Sequence, residues 1–200
     1  PGAGTTLEQD RERLATVRRA RATAAQGYFD ANAGRWNEIR SMQVDDGLVE
    51  GRLLSMLPPD GLGALLDVGT GTGRILELFG PKIDRGLGID LSLDMLLLAR
   101  ARIERANLRN CSVRQGDIYD LAVPAASFDV VIIHQVLHFL DDGARAIREA
   151  ARVLAPGGRL LVVDFAPHDL EFLREEHAHR RLGFTRETVE QWLAAAGLDM

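Results

Sequence analysis

The chain has 200 residues, of which 46% are hydrophobic and 26% charged, and its formal net charge is −5 at pH 7. This composition excludes a disordered or fibrous chain and fits one domain with a sizeable apolar core. The acidic balance argues against nucleic acid as a direct partner, since proteins that bind phosphate backbones usually present a basic surface.

Membrane, disulfide and export signals are all lacking in the sequence. Apolar runs such as 130–133 and 160–163 are far shorter than the roughly 20 residues that a membrane-spanning helix needs. The single cysteine, Cys111, excludes an internal disulfide and fits a reducing compartment. No charged segment followed by an apolar stretch opens the chain, so no secretory signal is predicted. We therefore expect a cytoplasmic protein with no membrane partner.

The predicted elements begin with a polar helix. Residues 11–21 carry five arginines in eleven residues without glycine or proline, a pattern that favours a solvated or linker helix over a partner-binding surface. A segment in which aromatic and polar residues alternate follows at 27–42. A helix is then predicted over about 45–57, and Pro58 and Pro59 stop it.

The rest of the chain alternates apolar runs with helical stretches. Helical patterns cover 91–106, 141–158 and about 186–196, and the predicted strands are at about 64–68, 86–90, 111–115, 128–133 and 159–165. Strands that are apolar on both faces and separated by helices predict a parallel sheet with right-handed crossovers. The predicted fold class is therefore α/β, with a doubly wound, Rossmann-like sheet.

The stretch LLDVGTGTG, residues 65–73, places three glycines at alternate positions after the first strand. Such a loop opens a helix whose N–H groups favour an anion, and its lack of side chains lets a ligand touch the backbone. Asp90 ends the second strand, where an acid can accept two hydrogen bonds from a ribose diol. The spacing is G-x-G-x-G followed by Arg74, unlike the G-x-G-x-x-G fingerprint of dinucleotide sites. Asp67 would repel a pyrophosphate and suits a ligand that carries an ammonium group.

These motifs resemble those of the class I S-adenosylmethionine-dependent methyltransferases over about residues 60–167. LLDVGTGTG is similar to the first motif of that family and GLGIDLS to the second, and similarity continues in GD at 116–117, FDVVIIHQVLHFLDD at 128–142 and RVLAPGGRLLVVDF at 152–165. The resemblance implies the strand order 3-2-1-4-5. It also implies S-adenosylmethionine as methyl donor, S-adenosylhomocysteine as product and a small molecule as methyl acceptor.

Carried onto this chain, the resemblance implies a methyl-donor site at the ends of the first strands. The glycines would line the methionine moiety, Asp67 would hold the ammonium directly or through water, Asp90 would hold the ribose and Asp117 the adenine amine. Met95 would pack on the adenine face or serve as a core residue. The complete set implied to bind the methyl donor is Tyr28, Asp67, Gly69, Thr70, Gly71, Gly73, Asp90, Leu91, Met95, Asp117, Ile118 and His134.

Three histidines are candidate general bases, which methyl transfer needs only when the acceptor is protonated. His134, His138 and His168 are expected near the ends of the fourth and fifth strands and can titrate near neutral pH. Alternatively, His134 shapes the cofactor pocket and His138 caps or packs against a helix. The pairs His134–His138 and His177–His179 also raise metal binding, but no HExxH motif or cysteine cluster accompanies them, so no metal site is predicted.

The flanking segments 28–42 and 168–198 resemble those of methyltransferases related to the ubiquinone and menaquinone biosynthesis type, a subset of which is fused to an ArsR-type winged-helix domain. This implies a helical linker and lid at 1–42 and a methyltransferase domain at 43–200 that lacks the usual C-terminal antiparallel hairpin. We therefore expect the 200 residues to be part of a longer protein. Nucleic acid would be bound only through a fused winged helix, and a homodimer stays open as the oligomeric state.

The aromatic residues before position 42 have two interpretations. Tyr28, Phe29 and Trp36 could form a lid over the methyl donor, with Tyr28 reaching the methionine carboxylate, or they could simply dock a helix on the sheet. Arg40 and the pair 180–181 could bind an anionic acceptor.

Two other functions stay open on the sequence. One is a non-catalytic sensor of S-adenosylmethionine or S-adenosylhomocysteine in a transcriptional regulator, because its ligand site would have the same motifs. The other is an NAD(P)-dependent oxidoreductase, which Arg74 disfavours because a glycine stands at that position in the dinucleotide fingerprint.

Overall fold

The computed structural model describes residues 3–36, 46–59 and 61–200. The strands are β1 (Ala64–Val68), β2 (Arg85–Asp90), β3 (Cys111–Gln115), β4 (Phe128–His134) and β5 (Leu154–Val163). The helices are α1 (Ala3–Asn32), α2 (Asp46–Met56), α3 (Arg74–Phe79), α4 (Leu93–Arg105), α5 (Gly143–Val153), α6 (Phe172–Glu176) and α7 (Arg186–Ala195). Short 3-10 turns cover Ala33–Arg35, Gly80–Lys82 and Leu137–Phe139. The prediction made for Arg40 falls outside the described residues.

The five strands form one parallel sheet in the order β3-β2-β1-β4-β5. This confirms the predicted α/β class and strand order. The direction of strand addition reverses between β1 and β4, and ligands of such sheets bind outside the carboxyl ends of the strands at that point. The register aligns Val68 with both Ile89 and Ile133, so β1, β2 and β4 end at the same edge.

Helices cover both faces of the sheet, which explains why its central strand is buried throughout and apolar except for Asp67. Every residue of β1 is buried. Because side chains alternate between faces, Leu66 packs in one core cluster with α5, while Leu65 packs in a second with α3. Among the described helices, none combines the length and the hydropathy that a bilayer-spanning segment requires.

The junction between α5 and β5 differs from the prediction. The sequence predicts a helix through residue 158, but α5 ends at Val153 and β5 begins at once with Leu154. Phe128 pairs with Leu154 and Val130 with Arg159, so the pairing of β4 and β5 contains a register shift that absorbs the intervening residues. Pro156 cannot continue a helix, and the register shift lets the chain enter the sheet five residues early.

Helix α1 confirms that the arginine-rich segment is helical, and its C-terminal end reaches the sheet edge. Ser92 Oγ donates a hydrogen bond of 2.6 Å to Asp30 Oδ1. Ser92 is also the N-cap of α4, where its hydroxyl accepts the backbone N–H of Met95. The end of α1 is thereby tied to the first turn of α4.

Candidate active site

A cavity of about 260 Å³ lies at the carboxyl edge of the sheet, where the strand order reverses. Every residue predicted to bind the methyl donor lines it except Tyr28 and Gly73. Those lining it are Asp67, Gly69, Thr70, Gly71, Asp90, Leu91, Met95, Asp117, Ile118 and His134. Residues from four strand ends therefore meet in one place, as expected for parallel strands with a shared edge.

The three glycines of the loop differ in what surrounds them. All three have positive φ, but a methyl group at Gly69 would lie 2.5 Å from the Val136 side chain, and one at Gly73 would lie 3.0 Å from Ala99 Cβ. A methyl group at Gly71 would meet only Trp36 Nε1, at 3.7 Å. Gly71 is thus the glycine that faces the open cavity, whereas Gly73 lets the loop pack against α4.

Asp67 and Thr70 hold the loop closed. Asp67 is 1% exposed, and its Oδ2 accepts the Thr70 hydroxyl at 2.6 Å. The backbone N–H groups of Gly69 and Thr70 both donate to the carbonyl of Ile89, at 2.8 and 3.0 Å. These hydrogen bonds anchor the loop to β2. The buried Asp67 carboxylate lines the cavity next to it.

Asp90 connects the loop to the end of β2. Its Oδ2 accepts the backbone N–H of Gly71 at 2.8 Å, and its Oδ1 accepts that of Ser92 at 2.9 Å. Burial raises the pKa of the Asp90 carboxyl above its usual range, and the backbone hydrogen bonds oppose that rise. Each carboxylate oxygen has two lone pairs, so Asp90 can accept further hydrogen bonds from hydroxyl groups in the cavity.

The opposite end of the cavity combines an apolar wall with an exposed acid. Met95 is almost completely buried, so it belongs to the core and at the same time lines the cavity. Asp117 is exposed, and its Oδ1 accepts the Tyr119 backbone N–H at 2.9 Å. Ile118, the residue after Asp117, is half-buried. A flat heterocycle with an amino group would find both apolar contact and a hydrogen-bond acceptor here.

Of the three candidate bases, only His134 lines the cavity. His138 is buried, and its Nδ1 lies 2.8 Å from Asp164 Oδ1. His168 Nδ1 accepts the backbone N–H of Leu170. His138 and His168 lie near the ends of β4 and β5 as predicted, but neither lines the cavity, and a catalytic role for them stays a prediction.

A second buried histidine stacks on His138. The rings of His138 and His179 are 4.1 Å apart at 30°. Burial, with a smaller contribution from His138, lowers the pKa of His179 to about 3. His179 is therefore neutral at physiological pH and acts as a packing residue.

The aromatic segment contributes Phe29 and Trp36 to the cavity, but Tyr28 points elsewhere. The Tyr28 hydroxyl is 2.8 Å from His177 Nδ1, because successive residues of a helix face different directions. Phe29 and Trp36 form an aromatic cluster with Phe139, which follows β4. The structure thus brings two of the three proposed lid residues to the cavity.

Some lining residues, among them Phe139 and Asp141, were not singled out from the sequence. Phe139 and Asp141 lie in the FDVVIIHQVLHFLDD motif just after β4. Their position after a strand end could have predicted that they lie at the carboxyl edge of the sheet. Of the pair 180–181, which the sequence offered as a site for an anionic acceptor, Arg180 lines the cavity, and its guanidinium forms an ion pair with Asp141. Arg74 lines it too, but its Nε and Nη2 donate to Glu50, at 2.7 and 2.6 Å.

A family described as "Methyltransferase domain" matches residues 66–162, from β1 to β5. The chain is 32% identical over 135 residues to YcgJ, an uncharacterised methyltransferase of Bacillus subtilis, covering 65% of this chain and 53% of the relative. It is 34% identical over 147 residues to 27-O-demethylrifamycin SV methyltransferase of Amycolatopsis mediterranei, covering 70% and 50%. The chain spans about half the length of these curated relatives.

Solved structures agree with this assignment. The crystal structure of YcgJ matches with a TM-score of 0.68 at 26% identity, covering 74% of this chain and 66% of that one. A SAM-dependent methyltransferase of Thermotoga maritima shares the fold, with a TM-score of 0.69 at 24% identity and coverage of 88% and 82%. With the motifs and the cavity at the carboxyl edge, these matches place the chain in the class I S-adenosylmethionine-dependent methyltransferase family.

Proposed function

We propose that this protein binds S-adenosylmethionine, transfers its methyl group to a small molecule and releases S-adenosylhomocysteine. The observation that carries the proposal is the pairing of Asp90 with Gly71. It puts the half-buried Asp90 carboxylate beside the loop glycine that has the most room around its Cα. A ligand with a ribose diol could donate to that carboxylate while its neighbouring groups pass close to the bare backbone.

The residues present fit this methyl donor. A carboxylate whose pKa is raised by burial gains from additional hydrogen-bond donors, and a ribose offers two hydroxyls. Met95 and Ile118 give an apolar surface for the adenine, and Asp117 gives an acceptor for its amino group. Asp67 accepts the Thr70 hydroxyl through Oδ2, and its carboxylate would hold the ammonium directly or through water.

Catalysis would rest mainly on position. When bound, S-adenosylmethionine supplies a methyl group that is already activated by its sulfonium, so alignment of the acceptor can account for much of the rate. Phe29, Trp36 and Phe139 would exclude water from the cavity. His134 is the one candidate base that lines the cavity, and it could accept a proton from a protonated acceptor.

Titration calorimetry with S-adenosylhomocysteine tests the methyl-donor site. We expect saturable one-to-one binding to the unmodified chain and at least tenfold weaker binding to Asp90→Asn, since a hydrogen bond to a charged group contributes about 1.5–3 kcal/mol. Asp94→Asn is the matched control, because Asp94 is exposed four residues further along the chain. Unchanged affinity in a folded Asp90→Asn variant would refute the ribose assignment.

A second function, ligand sensing without turnover, is supported by one observation. Helix α1 contributes Ala25 and Phe29 to the cavity. A ligand bound in the cavity would therefore contact a helix that lies outside the sheet and its covering helices. Sensing predicts S-adenosylhomocysteine binding, without methylated product from any acceptor in a mass-spectrometric screen. Formation of a methylated product would favour the enzyme.

A further inference from the structure

One wall of the cavity is aromatic and is assembled from separate parts of the chain. The Phe29 ring lies 4.8 Å from the Phe139 ring and 5.4 Å from the Trp36 ring, both nearly perpendicular to it. The Trp36 and Phe139 rings are 6.1 Å apart. The two edge-to-face contacts join the three rings into one cluster on the cavity lining.

This wall stands beside the place where the methyl group would be presented. Trp36 Nε1 lies above Gly71 in the glycine loop, and Phe139 follows the end of β4. The sites proposed for ribose and adenine lie towards β2 and β3. Of the three rings, only Phe139 lies just after β4, whereas Trp36 covers the glycine loop and Phe29 precedes Asp30, which is hydrogen-bonded to Ser92 after β2. The side of the cavity towards β4, away from the proposed ribose and adenine sites, is the side left for a methyl acceptor.

A polar pair occupies the same side of the cavity. Arg180 Nη1 is paired with Asp141 Oδ1, and the two side chains are only 16% and 23% exposed. The backbone N–H of Arg180 donates to the carbonyl of His138 at 2.8 Å, which fixes the position of Arg180. Within the described residues, this ion pair joins one guanidinium nitrogen to one carboxylate oxygen.

On the basis of the proposed function, we infer that this side is the acceptor subsite and that it takes an uncharged, planar aromatic molecule bearing a hydroxyl group. The aromatic rings of Phe29, Trp36 and Phe139 would contact the ring system. The hydroxyl would lie at the pair, donating to Asp141 and accepting from Arg180. A hydroxyl can do both at once, which matches a side-chain pair that offers one acceptor and several donors without net charge.

Charged acceptors fit this pair less well. A carboxylate would have to displace Asp141 from Arg180, and an ammonium group would face the guanidinium as well as the carboxylate. In each case a partly buried charge loses its partner, which is costly. Saturated rings would fill the space but lack the edge-to-face interaction with the aromatic wall.

The test is calorimetric binding of four matched probes in the presence of saturating S-adenosylhomocysteine: 2-naphthol, 2-naphthoate, 2-naphthylmethylammonium and decahydro-2-naphthol. We expect 2-naphthol to bind at least tenfold more tightly than either charged probe, the factor typical of one hydrogen bond to a charged group. We expect the saturated alcohol to bind several-fold more weakly than 2-naphthol. Equal or tighter binding of any of the three other probes overturns the inference.

Two variants should change the charge preference in opposite directions. Asp141→Asn leaves Arg180 without its counter-ion and should raise the affinity for 2-naphthoate about tenfold, whereas Arg180→Gln should raise that for 2-naphthylmethylammonium. Arg186→Gln is the control, since Arg186 is an exposed, ion-paired arginine of α7, and it should leave the order of probes unchanged. No change of preference in either pair variant overturns the role of the pair.

The same experiments separate this inference from the proposed function. If S-adenosylhomocysteine binds and no probe does, the acceptor subsite is wrong and the methyl-donor site stands. If S-adenosylhomocysteine does not bind, the proposed function is wrong. The probes are then measured on the chain alone, where the predicted order supports the aromatic subsite and any other order overturns it.

Discussion

Replacing Gly73 by alanine should destabilise the junction between the glycine loop and α4. Gly73 has φ of +80°, and a left-handed conformation costs a non-glycine residue about 1 kcal/mol. The new Cβ would also lie 3.0 Å from Ala99 Cβ and 3.2 Å from Ala99 Cα. Ala99 is fully buried, and overpacking such a site costs roughly 1–3 kcal/mol. The free energy of unfolding should therefore fall by about 2–4 kcal/mol.

Gly157→Ala is the matched control for this substitution. Gly157 has nearly the same φ, +77°, but nothing lies within 4 Å of a Cβ built there. It should lose only the backbone cost of about 1 kcal/mol. Urea denaturation followed by circular dichroism measures both variants, with unchanged m values required for the comparison. Equal losses would refute the claim that Gly73 is needed for close packing on Ala99.

Three further predictions concern side chains around the cavity. The pKa of His179 is about 3 in the fold and near 6.5 when unfolded, so the native state loses stability as pH falls below 6.5. Between pH 7 and 5, urea denaturation should show His179→Phe losing about 2 kcal/mol less than the unmodified chain, and equal losses would contradict this. Arg74→Lys should lower the free energy of unfolding by about 1 kcal/mol, because lysine cannot make the two-pronged contact with Glu50, and an unchanged urea midpoint would contradict it. Tyr28→Phe removes the hydrogen bond to His177 and should speed proteolysis within α1, so an unchanged rate would show that this bond does not hold the helix.

The sheet was predictable because its strands are defined by local patterns. The apolar run that forms β1 is bounded by glycines, and β1 was predicted with its observed limits of Ala64–Val68. The junction of α5 and β5 was not predictable in this way. The register shift there is the change from the pair Phe128–Leu154 to the pair Val130–Arg159. Pairing between strands that are distant in sequence leaves no periodic pattern along the chain.

The position of Asp67, Gly71 and Asp90 at the cavity was equally predictable, because these residues stand in motifs at strand ends. The histidines were harder to place. His138 was a candidate base, yet the register of β4 and β5 pairs His134 with Val163 and so brings Asp164 within reach of His138. Whether a histidine faces the cavity or a buried carboxylate depends on that register, which spacing along the chain does not reveal.

Helix α1 links the two halves of the cavity, which bears on how the chain divides into functional parts. On one side, Asp30 accepts from Ser92 Oγ, and the Ser92 backbone N–H donates to Asp90. On the other, Phe29 packs against Phe139. A continuous path of contacts thus runs from the proposed ribose site through α1 to the proposed acceptor wall. Since α1 lines the cavity with Phe29 and bonds to Ser92 through Asp30, its C-terminal turns belong with the site that they cover, whatever role the arginine-rich turns before them serve.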